Sequence, residues 1–230
     1  KNRIKNLNIS IKEIGFSNTA NLYSIAESKK IAGKSVASNK TTVKKVGLLL
    51  SCLLLASCLG RPEGVLPVEQ LDSQRYLGTW YEVARLDHSF ERGLSNVTAD
   101  YSMREDGGLR VINRGYSVEE GDWQQAEGRA YRIEDDQPGH LKVSFFGPFF
   151  GSYIVFELDS VDYQYAFVAG NTTDYLWLLA RTPRISDELK EHFLQRAEGL
   201  GFEVDELIFV DQELNRNSTQ LQPKSLPKLD

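Results

Sequence analysis

Between Thr79 and Arg181 the chain repeats one pattern eight times: a short run rich in Val, Ile, Tyr, Phe and Leu, then a connection, usually of turn-forming residues. The runs are Thr79–Asp87, Asn96–Arg104, Leu109–Val118, Gln125–Glu134, Leu141–Phe146, Ser152–Leu158, Tyr163–Ala169 and Tyr175–Arg181. Glu105-Asp106-Gly107-Gly108, Glu119-Glu120-Gly121-Asp122, Asp135-Asp136-Gln137-Pro138-Gly139, Gly147-Pro148 and Gly170-Asn171 supply the turns. Strands joined by hairpin-length loops pair antiparallel with their sequence neighbours, and a meander removes its exposed edges by closing. The expected fold is all-β, an eight-stranded up-and-down antiparallel β-barrel with one C-terminal α-helix packed outside. Ser186 caps that helix, Asp187 and Glu188 suit the positive end of its dipole, and Leu189, Phe193, Ala197 and Leu200 recur at helical spacing. Gly199 and Gly201 end it, Val204–Val210 reads as a final short strand, and 213–230 as a polar tail. A barrel of this size either fills with side chains or holds one small ligand.

The net charge of −5 conceals a split: residues 1–42 carry +6, residues 43–58 carry +2 and residues 59–230 carry −13. An acidic body without a basic stripe argues against nucleic-acid binding, which needs clustered Lys and Arg. Lys44-Lys45 precedes a 14-residue apolar stretch, Val46–Leu59, short of the roughly 20 residues of a spanning helix. Positive start, short apolar middle and small residues before Cys58 have the build of a secretory signal over 43–57. Leu55-Ala56-Ser57-Cys58 resembles a bacterial lipoprotein cleavage box, which implies a Cys58 that carries a diacylglycerol and further acyl chains and becomes the mature N-terminus. Acyl chains contribute about 0.8 kcal/mol per buried CH₂, so two or three anchor a domain stably. A cleaved signal with an incidental cysteine, or a short hydrophobic anchor, is the alternative. Leu59, where an Asp would stand otherwise, resembles the pattern of lipoproteins sent to the outer membrane. Residues 58–70 then form a linker. The polar segment 1–42 does not fit ahead of a signal; the expectation is that translation starts at Val43 on a non-AUG codon, with a disordered extension as the alternative.

Gly78-Thr79-Trp80, just after the helical-looking Ser73–Leu77, resembles the Gly-x-Trp motif that opens the first strand in the lipocalins. Arg181, ending Tyr175–Arg181, resembles their third signature, an arginine over that tryptophan. The stretches His88–Gly93, Trp123–Gln125, Leu141–Phe149 and Thr182–Ser186 are similar to those of bacterial outer-membrane lipoprotein lipocalins, and more distantly to apolipoprotein D and the plant temperature-induced lipocalins. The resemblance covers 71–212. Its second motif, usually Thr-Asp-Tyr, here reads Val161-Asp162-Tyr163, which weakens only a turn hydrogen bond. If the first and eighth strands close the barrel antiparallel, Trp80 and Arg181 meet at one end, where an indole–guanidinium stack contributes about 0.5–2 kcal/mol. Gly78, Trp80 and Arg181 are therefore assigned to barrel closure.

With Trp80 and Arg181 inward, strict alternation lines the cavity with Glu82, Ala84, Leu86, Trp177 and Leu179. By pattern Val97, Ala99 and Tyr101, Val111 and Asn113, Ala126, Gly128 and Ala130, and Val143 and Phe145 join them. Small residues on the fourth strand favour an unfilled, mostly apolar pocket. Glu82 and Asn113 are the polar candidates, although Glu82 can equally pair with a cation such as Arg129, and Asn113 with a buried backbone group. Such a pocket beside a membrane tether suits a single-chain lipid; the resemblance implies a fatty acid or lysophospholipid. The loops His88–Ser95, Val118–Trp123, Phe146–Phe150 and Gly170–Asp174 form an aromatic rim that either touches the membrane or folds over the mouth. No nucleophile elbow, zincin motif or phosphate loop occurs, and no cofactor or metal is implied. Two other readings stay open: a structural envelope lipoprotein without ligand, and a lipid-modifying enzyme working through His88 and Glu91, whose spacing more simply reads as a solvated loop.

Overall fold

The computed structural model describes residues 59–134 and 137–215, and the backbone of Lys5–Asn6. The expected segments 1–42, 43–57 and the tail beyond 215, together with Cys58, lie outside the described residues, save for Lys5–Asn6.

Eight strands form the barrel: β1 (Gly78–Arg85), β2 (Leu94–Met103), β3 (Leu109–Ser117), β4 (Asp122–Arg132), β5 (His140–Ser144), β6 (Gly151–Leu158), β7 (Tyr165–Ala169) and β8 (Leu176–Ala180). Each pairs antiparallel with the next, and β8 returns to β1 through Tyr81↔Ala180 and Glu82↔Leu179, so the sheet closes. Every run identified in the sequence becomes a strand. A short helix, α1 (Ser73–Tyr76), precedes β1, with Asp72 accepting a hydrogen bond from the Gln74 amide. The helix α2 (Asp187–Glu198) begins at Ser186, whose hydroxyl accepts from the Leu189 amide at 3.2 Å. Val204–Val210 departs from the expected strand. Val204–Glu206 winds into a 3₁₀ turn, leaving only β9 (Ile208–Phe209) to pair with β1.

Two apolar clusters hold this together. One fills the lower barrel with Trp80, Tyr76, Tyr101, Leu109, Val155 and Leu179. The other lies outside, where Phe193 and Ala197 of α2 pack on Val83, Ala84, Phe167, Leu178 and Phe202. Full burial of Phe193 and Phe167 contributes about 1.5–3 kcal/mol each. The stripe on α2 and the two-faced apolar character of β7 and β8 thus satisfy each other.

The segment expected as a linker is docked along the outer wall. Val65 is buried in the outer cluster, the Val68 amide donates to the Val155 carbonyl at 2.8 Å, and the Ser152 hydroxyl donates to the Gly60 carbonyl at 2.6 Å. The start of the expected polar tail is ordered too. Buried Gln212 donates from Nε2 to the carbonyls of Glu82 and Val97, and the Leu214 amide donates to Asn96 Oδ1. Glu82 and Val97 lie at irregularities of β1 and β2, where the pairing register shifts. A β-bulge leaves ladder groups unpaired, and Gln212 supplies donors to them.

β4 is only partly matched by β5. Arg129–Arg132 pair with Leu141–Ser144, whereas Asp122–Gly128 extend beyond the end of β5. Lys5–Asn6 pairs in parallel with Gln124 and Gln125 on that edge.

Candidate functional site

The closed end of the barrel is built around Trp80, which is wholly buried. Its indole Nε1 donates to the Tyr76 carbonyl at 2.8 Å, tying β1 to α1. Above it the guanidinium carbon of Arg181 sits 3.9 Å from the ring centroid, and Nη1 and Nη2 donate to the carbonyls of Thr79 and Arg75. Gly78 adopts φ +87°, a left-handed conformation that a side chain would strain. The three residues assigned to closure are brought together at one end. Nearby, Tyr163 donates its face to Arg75 at 4.1 Å, and its hydroxyl accepts from the Asp72 amide. The substituted turn residue Val161 is exposed, and its amide donates to Asp159 Oδ1.

Above this plug three phenols meet. Tyr153 Oη lies 2.8 Å from Tyr76 Oη and accepts from Tyr101 Oη at 2.9 Å. Burial pushes all three phenol pKa values upward, so they are neutral hydrogen-bonding groups on an apolar floor.

Higher in the barrel the lining thins. The ladder places Asn113 opposite Ala99 and Ala126, Val111 opposite Gly128, and Ala130 opposite Val143. Ala99, Val111 and Leu179 are buried in the interior cluster, with Val143, Phe145 and Trp177 packed on it. Val97 is buried, with Cγ2 3.2 Å from where a Cβ on Gly115 would stand. Asn113, Ala126, Val143, Phe145 and Trp177 lie at inward positions yet are only partly buried. Asn113 Oδ1 is shielded and accepts no hydrogen bond among the described residues. Gly128 makes room for the Phe145 ring, whose atoms would lie 2.8 Å from a Cβ there.

Two expected lining residues face the other way. The register slips between Glu82 and Ala84, so Val83 is an extra residue, and every later side chain on β1 changes face. Ala84 and Leu86 therefore join the outer cluster with α2. Arg85 takes the inward position opposite Trp177. Its Nη1 donates to Glu82 Oε1 at 2.7 Å, and Nη2 donates to the carbonyls of Glu91 and Leu94. Glu82 is thus partnered by Arg85, not by Arg129.

The same bulge assembles a buried polar cluster under the β1–β2 loop. His88 and Glu91 are buried, not solvated. His88 Nε2 stands 3.1 Å from Glu91 Oε2, its ring stacks on Phe90 at 3.9 Å, and Trp177 Nε1 donates to Glu91 Oε2 at 3.1 Å. Burial drives the Glu82 carboxyl well above the usual range, helped by the nearby Glu91 charge and opposed by Arg85. Burial also opposes ionisation of Glu91, but hydrogen bonds and charge from His88, Trp177 and Arg85 hold its pKa low. Two carboxyl groups and one guanidinium thus share a desolvated site, and burial raises the pKa of Glu82 while its neighbours lower that of Glu91.

Of the rim aromatics, Phe149 is 53% exposed, Phe90, Phe146 and Phe150 are half-buried, and Trp123 is not in a loop at all. Trp123 lies on β4 opposite Tyr116, with the Arg114 guanidinium 4.0 Å from its ring centroid. Sequence reasoning missed Arg85, Tyr76, Tyr153 and Gln212; only Tyr153 had a readable signal, its alternation with Val155.

A closed eight-stranded antiparallel barrel sealed at one end by a tryptophan–arginine plug and flanked by an external helix defines a calyx-type fold. A family model described as a lipocalin-like domain matches residues 71–212, and the chain belongs to the lipocalin family. It is 54% identical over 171 residues to the outer membrane lipoprotein Blc of Vibrio cholerae serotype O1, covering 74% of this chain and 100% of that one. It is 56% identical over 151 residues to the outer membrane lipoprotein Blc of Escherichia coli K12, covering 66% of this chain and 85% of that one. Among solved structures, the cockroach allergen Per a 4 shares the fold with a TM-score of 0.54 at 20% identity, over 68% of this chain and 98% of that one.

Proposed function

We propose that the chain is a lipid-anchored lipocalin of a bacterial outer membrane, facing the periplasm, that binds a single-chain lipid by burial and releases it unchanged. The reading is supported by the incomplete burial of the inward residues Asn113, Ala126, Val143, Phe145 and Trp177. A filled barrel would bury them. An acyl chain passing between Ala126, Val143 and Phe145 reaches the phenol floor, and each CH₂ it buries contributes about 0.8 kcal/mol. Asn113 Oδ1 and the phenols offer the few polar contacts that fix orientation in such pockets. A fatty acid or a lysophospholipid satisfies this geometry, and burial and release need no chemistry from the protein. The names of the Blc relatives support the outer membrane, and acylated Cys58 supplies the tether, with 43–57 as its signal and 58–70 as the docked linker. Processing there removes Lys5–Asn6 from the edge of β4.

Native mass spectrometry of the purified protein, followed by extraction and identification of bound lipid, tests the reading. A single-chain lipid at one per barrel is expected, and it should be lost in Ala126→Trp, which fills the lumen. A parent protein that neither retains nor takes up such a lipid overturns it.

A further inference from the structure

We propose that the loop joining β5 to β6 is a membrane-contact site, and that the barrel stands on an anionic lipid surface on that side of its rim, with the opposite side lifted away. The proposal rests on the lipid-anchor reading, and four observations carry it.

The first is the shape of the wall. Asp122–Gly128 of β4 rise beyond the end of β5, so the wall is low at β5–β6 and the mouth opens obliquely over that loop. The second is the loop's chemistry. Residues 140–152 hold no acidic side chain. Phe149 is exposed, Phe146 and Phe150 are half-buried, and the Arg129 guanidinium and Lys142 Nζ lie 5.5 Å and 5.3 Å from the Phe150 centroid. Aromatic rings flanked by cations suit the headgroup region, where the rings enter and the cations meet lipid phosphates.

The third is the contrast across the rim. The β3–β4 turn also exposes an apolar residue, Val118, but surrounds it with Glu119, Glu120 and Asp122, which anionic lipid repels. The fourth is the position of the tether. The Gly60 carbonyl is held by Ser152, two residues after the loop, and Arg61 beside it is exposed. Cys58 is two residues before Gly60, and covalent reach keeps it within roughly 7 Å. An acyl anchor on Cys58 therefore begins next to the aromatic loop, and the exchange of lipid with the lumen occurs over the low wall.

Of the native cysteines Cys52 lies in the signal and Cys58 is the mature N-terminus, so a cysteine introduced in the barrel is a single label site once Cys58 is acylated. The test places an environment-sensitive fluorophore on Phe149→Cys, Val118→Cys or Val161→Cys in the full chain. Each protein is reconstituted in vesicles of phosphatidylethanolamine and phosphatidylglycerol, with or without nitroxide-labelled phospholipid, and the parent chain gives the labelling background. Quenching at position 149 is expected to exceed that at 118 and 161 by about twofold or more, because only that side enters the interface. Quenching at 149 no greater than at 161, at the closed end, overturns the proposal; equal quenching at 149 and 118 overturns the one-sided orientation. Mass spectrometry of the N-terminal peptide reads acylation separately, and lipid extraction reads the lumen, so failure of the anchor or carrier reading is distinguishable. If Cys58 proves unacylated, the same labels on a background with Cys52→Ser and Cys58→Ser, added to vesicles, decide the matter in the same way.

Discussion

The Arg181 guanidinium lies 3.9 Å from the indole centroid of Trp80, although 101 residues separate them along the chain. Desolvation lowers the Arg181 pKa from its ordinary value, yet the group keeps its charge at any working pH and bonds three backbone carbonyls. One side chain thus ties the end of β8 to α1, to β1 and to the β6–β7 turn.

Trp80→Ala should destabilise the fold by about 3–5 kcal/mol, because it removes a fully buried indole and the surface under Arg181. Chemical denaturation measures the loss. The choice of ligand should hardly change, since the plug lies beneath the phenol floor; a shifted lipid profile with unchanged melting would contradict this.

Arg85→Ala should cost about 3–5 kcal/mol, since it leaves the buried Glu82 carboxyl without its donor and removes the positive charge that faces Glu91. Ala84→Arg, on the opposite face, should also destabilise, but by displacing α2. Detachment of α2 is then visible as faster amide exchange in Asp187–Glu198 relative to the barrel strands.

Glu82 carries its proton in the folded chain to a higher pH than in the unfolded chain. Between the unfolded carboxyl pKa and the raised folded one, the unfolded state binds fewer protons, so this group's contribution falls as pH rises. Glu91 acts oppositely: its folded pKa is lowered, and its contribution is lost as pH falls through that value. Glu82→Gln keeps an acceptor for Arg85 and should flatten the loss above about pH 5. Melting temperatures of parent and variant across that range measure it.

Gln212→Ala should cost about 1–3 kcal/mol by leaving the Glu82 and Val97 carbonyls unpaired. Amide exchange in β1 and β2 near the bulges should rise, while α2 stays protected.

Much of this protein is legible locally. Turn residues and apolar runs mark all eight strands, Ser186 marks the start of α2, and Gly78-Thr79-Trp80 with Arg181 marks the closed end. The inward alternation was legible on the regular stretches, at Ala99, Tyr101, Val111, Asn113, Val143, Trp177 and Leu179, while Val97 sits at the β2 irregularity and Phe145 just past the end of β5. It failed at Ala84 and Leu86, because one extra residue on β1 reverses every later side chain.

The sequence alone determined which segments become strands, because alternation and turn chemistry act over a few residues. Tertiary structure decided where Val83 bulges, since that depends on whether β8 and the carbonyl-bonding Gln212 can accommodate an extra residue. From that single irregularity follow the buried pairing of Glu82 with Arg85 and the enclosure of His88 and Glu91. The oblique mouth is decided the same way: β4 outruns β5 only once the barrel's register is closed.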